Sequence, residues 1–171
     1  MVKVALYARV SDDKKKLDGE RRQDVQRQVL LLGEHVNKEF FNNKDLLELK
    51  VYVDDAKSAF TDDWNQRPAF KQLFNDCRRH FIERIYIEDM TRFSRRIDVG
   101  LPLLKELGDL NVHLVSLKEG ELEVTSSKGW LQSSMLLMFA EWDSRIKSEK
   151  IRHGMQKAKN LGKNIGRRKE G

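Results

Sequence analysis

Val4-Ala5-Leu6-Tyr7-Ala8-Arg9-Val10-Ser11 is an apolar, β-rich run that carries a phenol, a guanidinium and a hydroxyl at every second position. An extended chain repeats every two residues, so Tyr7, Arg9 and Ser11 are expected on one side of a strand. Outward from this strand, apolar segments alternate in character. Val25, Val29, Leu32, Val36 and Phe40 step by three and four, the spacing of an amphipathic helix over about 21–41. Leu49 to Val53 reads as a second strand, with Asp54 and Asp55 at its carboxyl end. After a polar stretch over 56–66, Arg67-Pro68 opens a helix that puts Phe70, Leu73, Phe74 and Cys77 on one face. Ile85-Tyr86-Ile87 is a short third strand followed by Glu88 and Asp89, leucines 101, 104, 107 and 110 mark another helix, and 112–117 a fourth strand.

Strands alternating with helices predict an α/β fold: a mostly parallel sheet of about four to five strands flanked by helices. In such sheets ligands gather at the carboxyl ends of the strands, where Ser11, Asp54 and Glu88 would meet. Glu119 to Gly129 reads as a polar loop. Beyond it, Trp130 to about Leu161 has no proline, and Leu131, Met135, Met138, Phe139, Trp142 and Ile146 keep helical spacing. About 30 residues at ~1.5 Å each form a rod of about 45 Å, whereas a compact domain of this size has a radius of gyration of only ~15 Å. Residues 1–129 are therefore expected to form one domain. Residues 130–171 form a long helix that extends from it, oily in its first half, where a second copy of the helix fits, and cationic in its second.

Charge supports that division. The 171-residue chain carries a net charge of +6. Residues 145–171 alone hold 10 Lys or Arg against two acids, and the remainder 23 against 25. A near-neutral body with a basic arm is the electrostatic footprint of a polyanion binder, with Lys150, Arg152, Lys157, Lys159, Lys163, Arg167 and Arg168 as candidate contacts. A single cysteine excludes an internal disulfide, and four scattered histidines show no metal-ligand spacing. There is no signal-peptide pattern, no apolar run of membrane-spanning length and no Walker-type phosphate loop. The expected compartment is the cytoplasm or nucleoid, and no cofactor or metal is expected.

A tyrosine or arginine in a strand ordinarily packs at a rim or pairs with a carboxylate, and a serine after a strand ordinarily caps a helix. The trio Tyr7, Arg9 and Ser11 also suits attack on a phosphodiester, with serine as nucleophile and arginine neutralising the phosphate. Serine is a weak nucleophile unless the charge it develops is stabilised, so more cations are needed. Thr91-Arg92-Phe93-Ser94-Arg95-Arg96 offers them: on one helical turn, Arg92 and Arg95 would share a face and clamp phosphate oxygens.

Taken together, these motifs resemble the catalytic domain of the serine recombinases: resolvases, invertases, and related integrases and transposases. The family's opening Y-x-R-x-S is matched by Tyr7, Arg9 and Ser11, and its glutamine four residues before a leucine by Gln26 and Leu30. Its D-x-x-x-S followed by an arginine is matched by Asp54, Ser58 and Arg67, and its D-R-x-x-R by Thr91, Arg92 and Arg95. Gly154, Ala158, Lys159, Gly162, Gly166 and Arg167 follow its terminal pattern, so the resemblance runs from about Val4 to Arg168. Two departures stand out. Thr91 replaces a carboxylate given an acid or base role, with Asp89 nearby as a substitute. Asp143-Ser144 replaces a Glu-Arg pair, with Arg145 as the substitute arginine.

The resemblance implies metal-free transesterification of double-stranded DNA through a 5′-phosphoserine on Ser11, by a homodimer that becomes a tetramer during strand exchange. No helix-turn-helix pattern is read after Arg168, so site recognition is expected to lie elsewhere. Two readings of other classes stay open. One is a magnesium-dependent phosphoryl-transfer enzyme built on Asp54, Asp55, Glu88 and Asp89. The other is a non-catalytic DNA-binding or assembly module.

Overall fold

The computed structural model describes residues 1–9, 18–42, 47–54, 66–122, 124 and 126–162, with the backbone alone for 18–22. Among the described residues the order is β1 (Val2–Arg9), α1 (Asp18–Glu39), β2 (Leu47–Asp54), α2 (Pro68–Arg78), β3 (Arg84–Ile87), α3 (Met90–Phe93), α4 (Ile97–Asp109), β4 (His113–Ser116), β5 (Gly120–Leu122) and α5 (Ser127–Asn160). Strand β1 lies at the heart of this arrangement. The sheet runs β2-β1-β3-β4-β5, with β1 pairing in parallel to β2 and β3, and β3 in parallel to β4. Val4 through Ala8 are almost wholly buried, as a central parallel strand covered on both faces requires.

The period-two alternation of β1 divides its side chains between two cores. Ala5 and Tyr7 join Ile85, Ile87 and Leu114 against Phe70, Leu73, Phe74 and Cys77 of α2 and Leu104 and Leu107 of α4. Val4 and Leu6 join Tyr86 and Val115 beneath Leu32 and Val36 of α1. Burial pushes the Cys77 thiol up to about 12, as expected for a thiol used as a small core hydrophobe.

The expected loop over 119–129 is corrected in two places. Gly120, with φ of +85°, turns the chain back so that β5 pairs antiparallel to β4, with Leu122 opposite Leu114. Three residues are too short for periodicity to register. The last helix also starts earlier than Trp130: the Ser126 hydroxyl accepts the Gly129 amide at 3.1 Å and caps a helix that begins at Ser127.

At ~1.5 Å per residue, the 34 residues of α5 span about 50 Å. Its buried residues are Gly129, Ser133, Leu137 and Ala140, one narrow seam at steps of four, four and three. Along this seam the helix packs on α3 and α4, and Gly100 of α4 faces the tip of Leu137 so closely that a Cβ there would lie 2.6 Å from it. Leu131, Met135, Met138, Phe139 and Trp142 remain exposed, and no residue beyond Ala140 in α5 is buried.

Candidate active site

The carboxyl end of β1 brings Tyr7 and Arg9 beside three other segments. Tyr7 donates to Asp54 Oδ2 at 2.9 Å and accepts from Arg67 Nε and Nη2 at 3.2 and 3.1 Å. Burial pushes the phenol up to about 12; Arg67 opposes that shift and Asp54 adds to it, so the hydroxyl stays protonated and donates. Asp54, at the end of β2, also accepts the Ala69 and Phe70 amides at 2.8 and 3.0 Å and thereby caps α2. This explains why Arg67-Pro68 can open a helix although Arg67 has no capping oxygen of its own.

Arg67 is only 3 % exposed, and its guanidinium lies 3.6 Å above the Phe70 ring. Besides Tyr7 it donates to the carbonyls of Phe93 at 2.7 Å and Arg92 at 2.9 Å. Arg9, also buried, donates through Nη2 to the Thr91 carbonyl at 2.8 Å. Ser94 N–H reaches the Met90 carbonyl at 3.1 Å. Each of the four carbonyls of α3 therefore has a donor, three of them supplied by arginines from elsewhere in the chain. Arg67, expected to face a phosphate, is in this conformation a brace for the backbone of α3.

Arg92 is buried, and its Nη2 pairs with Glu88 Oε2 at 3.2 Å. The expected shared face with Arg95 is not formed. Helix α3 ends at Phe93, and Ser94 is extended at φ −153°, with its hydroxyl bonded to the backbone of Arg96, so Arg95 lies outside the helical turn.

Asp89 caps α3. It accepts the Thr91 amide at 3.0 Å, the Thr91 hydroxyl, and Lys118 Nζ at 2.7 Å. Burial would raise its carboxyl, but Lys118, Thr91 and Arg92 outweigh that and hold it below the usual carboxylate range. An ionised carboxylate, that of Asp89, is thus bonded directly to Thr91. Asp54, Glu88 and Asp89, considered above as cation ligands, are each committed to different partners: the α2 amides, two arginines, and Lys118.

Gln26 is corrected. It is exposed on α1, whereas Gln28 is fully buried; Gln28 accepts the Arg9 amide at 3.3 Å and donates to the Arg9 carbonyl at 3.1 Å. The sequence held the signal, because Gln28 also stands four residues before a leucine and falls in the inward stripe with Val25 and Leu32. Leu32 is buried, while Leu30 is 63 % exposed.

On α5, Asp143 pairs with Lys147 and Arg145 with Glu141, both pairs one turn apart on the helix surface. Glu141, which sequence reasoning missed, ties this region to the domain. Its Oε2 accepts the Ile97 amide at 2.6 Å and caps α4. Lys150, Arg152, Lys157 and Lys159 are exposed on the distal half of α5. Ser11, Asp55, Ser58, Lys163, Arg167 and Arg168 lie outside the described residues.

A family model described as "Resolvase, N terminal domain" matches residues 4–164. No curated protein matches the chain. Among solved structures, the N-terminal catalytic domain of TP901-1 integrase is similar at a TM-score of 0.54 and 21 % identity, over 84 % of this chain and 98 % of that one. A resolvase family site-specific recombinase from Streptococcus pneumoniae is similar at 0.53 and 21 %, over 93 % and 99 %. These two likenesses establish a shared fold.

Proposed function

Because this chain belongs to the resolvase N-terminal-domain family, we propose that it is a serine recombinase that cuts and rejoins double-stranded DNA through Ser11. The observation that carries this reading is a convergence within the matched span. Tyr7, Arg9, Arg67 and Arg92, distant in sequence, are tied into one hydrogen-bonded group at the carboxyl ends of β1 and β3.

In this reading Ser11 Oγ attacks a backbone phosphorus. The Oγ–P bond forms, the P–O3′ bond breaks, and the serine proton is lost while the departing 3′ oxygen gains one. The 5′ end is held as a phosphoserine ester, and the reverse reaction rejoins it to a new 3′ hydroxyl. Bond energy is conserved, so no nucleotide is required. Arg9 and Arg92 supply preorganised positive charge for the phosphorane, where losing one donor typically costs about 3 kcal/mol in barrier. Arg67 positions the segment that carries Arg92. Asp89, ionised at neutral pH, serves as an acceptor and as the anchor of Thr91.

The exposed apolar stripe of α5 fits a homodimer, with a tetramer during exchange, and its basic half tracks DNA phosphates or the minor groove. Work on chromosomal or mobile DNA fits a cytoplasmic, nucleoid-associated protein, and no helix among the described residues is long and apolar enough to cross a membrane.

The test is a duplex selected for binding, nicked at the crossover so that rejoining fails. A covalent adduct is expected with the unaltered chain, in EDTA as well as in magnesium, and none with Ser11→Ala, which still binds. An adduct formed by Ser11→Ala would refute the assignment. An adduct that vanishes in EDTA would favour metal-dependent chemistry.

A further inference from the structure

Arginine side chains in this molecule divide by what they bond. Arg67 directs all three nitrogens to Tyr7 and the carbonyls of α3. Arg27 and Arg92 instead converge on one carboxylate. Arg27 Nη2, from α1, lies 3.0 Å from Glu88 Oε1, and Arg92 Nη2, from α3, lies 3.2 Å from Glu88 Oε2. Two guanidiniums on two oxygens of one anion is the geometry with which arginines hold a phosphate group.

Glu88 satisfies only part of their capacity. Among the described residues each arginine uses Nη2 alone, Arg27 adding Asp24 Oδ1 at 3.3 Å. Arg92 Nε is buried without a hydrogen-bond partner among the described residues. A buried guanidinium nitrogen left unpaired costs free energy, so the pair of arginines is incompletely served by the carboxylate it holds. The cluster is open on one side, because the Arg27 side chain is 51 % exposed. It also adjoins the site: Gln28, next to Arg27, bonds both backbone groups of Arg9, and Thr91, next to Arg92, accepts from the Arg9 side chain.

We propose that Arg27 and Arg92 form a two-arginine site for a DNA backbone phosphate, and that the Glu88 carboxylate is its resting occupant, displaced when DNA binds. This rests on the DNA reading above and adds Arg27 as a phosphate-contacting residue. Glu88 lowers affinity by competing for that site, so replacing it with the isosteric neutral amide frees both arginines.

The test uses the full chain and a fluorescein-labelled mixed-sequence duplex at fixed salt. Arg27→Gln is expected to weaken binding about 3- to 10-fold, and Glu88→Gln to tighten it by a similar factor, the size of one ordinary net hydrogen bond, as suits a side chain half open to solvent. In an Arg27→Gln, Arg92→Gln background the gain from Glu88→Gln is expected to disappear. An equal gain in both backgrounds would mean that Glu88 acts by through-space repulsion and would overturn the proposal, as would tighter binding by Arg27→Gln alone.

A second measurement is independent of DNA. At constant ionic strength, inorganic phosphate in place of chloride is expected to raise the thermal midpoint of Glu88→Gln more than that of the unaltered chain. Equal shifts count against the site. Failure of the unaltered chain to bind duplex would instead overturn the DNA reading, while the phosphate titration still decides whether the two arginines form an anion site.

Discussion

Replacing Arg67 with methionine keeps much of the side chain's length and apolar contact while removing the guanidinium. The side chain is almost wholly buried, and among the described residues it makes four hydrogen bonds, to Tyr7 twice and to the carbonyls of Arg92 and Phe93. Each bond from a charged donor contributes ~1.5–3 kcal/mol, and the stack on Phe70 about 1–2 more. These terms share atoms and do not add, and removing a buried charge recovers desolvation energy of several kcal/mol. The net expected loss is about 3–5 kcal/mol, as for breaking other buried charged networks. For a chain of this size that lowers the melting temperature by roughly 6–20 °C. Arg67→Lys should fall between, because an ammonium cannot present a planar fork to two carbonyls and a hydroxyl at once. Urea unfolding followed by circular dichroism measures both. A loss below about 1 kcal/mol for Arg67→Met would refute the claim that this guanidinium holds α3 to β1, since changes of that size are ordinary at uncommitted positions.

Gln28→Ala should cost about 1–3 kcal/mol by leaving the buried Arg9 amide and carbonyl without their partner, whereas Gln26→Ala should stay within about 0.5 kcal/mol; the same urea curves compare them. Gly100→Ala forces its Cβ against Leu137 and Ser94, so a loss of about 1–3 kcal/mol and faster proteolysis near the start of α5 are expected, and unchanged cleavage would count against close packing there. The folded Asp89 carboxyl is held below its unfolded value of about 4, so its contribution is complete at neutral pH and is lost as pH falls from about 4 through the lower folded value. Asp89→Asn should therefore melt below the unaltered chain at neutral pH, with the gap narrowing in acid; a constant gap would contradict the sign.

The layered α/β class, the mostly parallel sheet and the core were legible because they follow from apolar periodicity and its alternation, signals spread over many residues; the strand order was not. Strand β5 and the first turn of α5 were not: one rests on Gly120 adopting positive φ over three residues, the other on a single serine cap. The site was legible by residue type and less so by role. Tyr7, Arg9, Arg67 and Arg92 do gather, but which oxygen each arginine bonds depends on where α3 stops, and that is fixed by the extended Ser94. The misplaced glutamine has a plainer cause. Two glutamines satisfy the same local spacing, and only the phase of the α1 stripe separates Gln28, which points at β1, from Gln26, which points at water.

Helix α3 explains why three arginines can be buried together. A helix leaves its last four carbonyls without intrahelical donors, so a four-residue helix satisfies none of its own. Left alone, Met90–Phe93 would expose those carbonyls to water or unravel. Arginine has the complementary difficulty: it stays charged under all ordinary conditions and has five N–H groups to satisfy. Thr91, Arg92 and Phe93 offer their carbonyls to Arg9 and Arg67, and Met90 offers its own to Ser94. Each partner removes the penalty of burying the other. Carbonyls accept hydrogen bonds without carrying a full negative charge, so these bonds to α3 fix Arg9 and Arg67 in place without themselves neutralising the guanidiniums. Arg92, whose own carbonyl helps hold Arg67, faces a carboxylate instead. The short helix is therefore more than a link between β3 and α4: it is the acceptor surface that holds the guanidiniums from β1 and the start of α2 rigidly in a low-dielectric setting, the arrangement that the proposed stabilisation of a phosphorane requires.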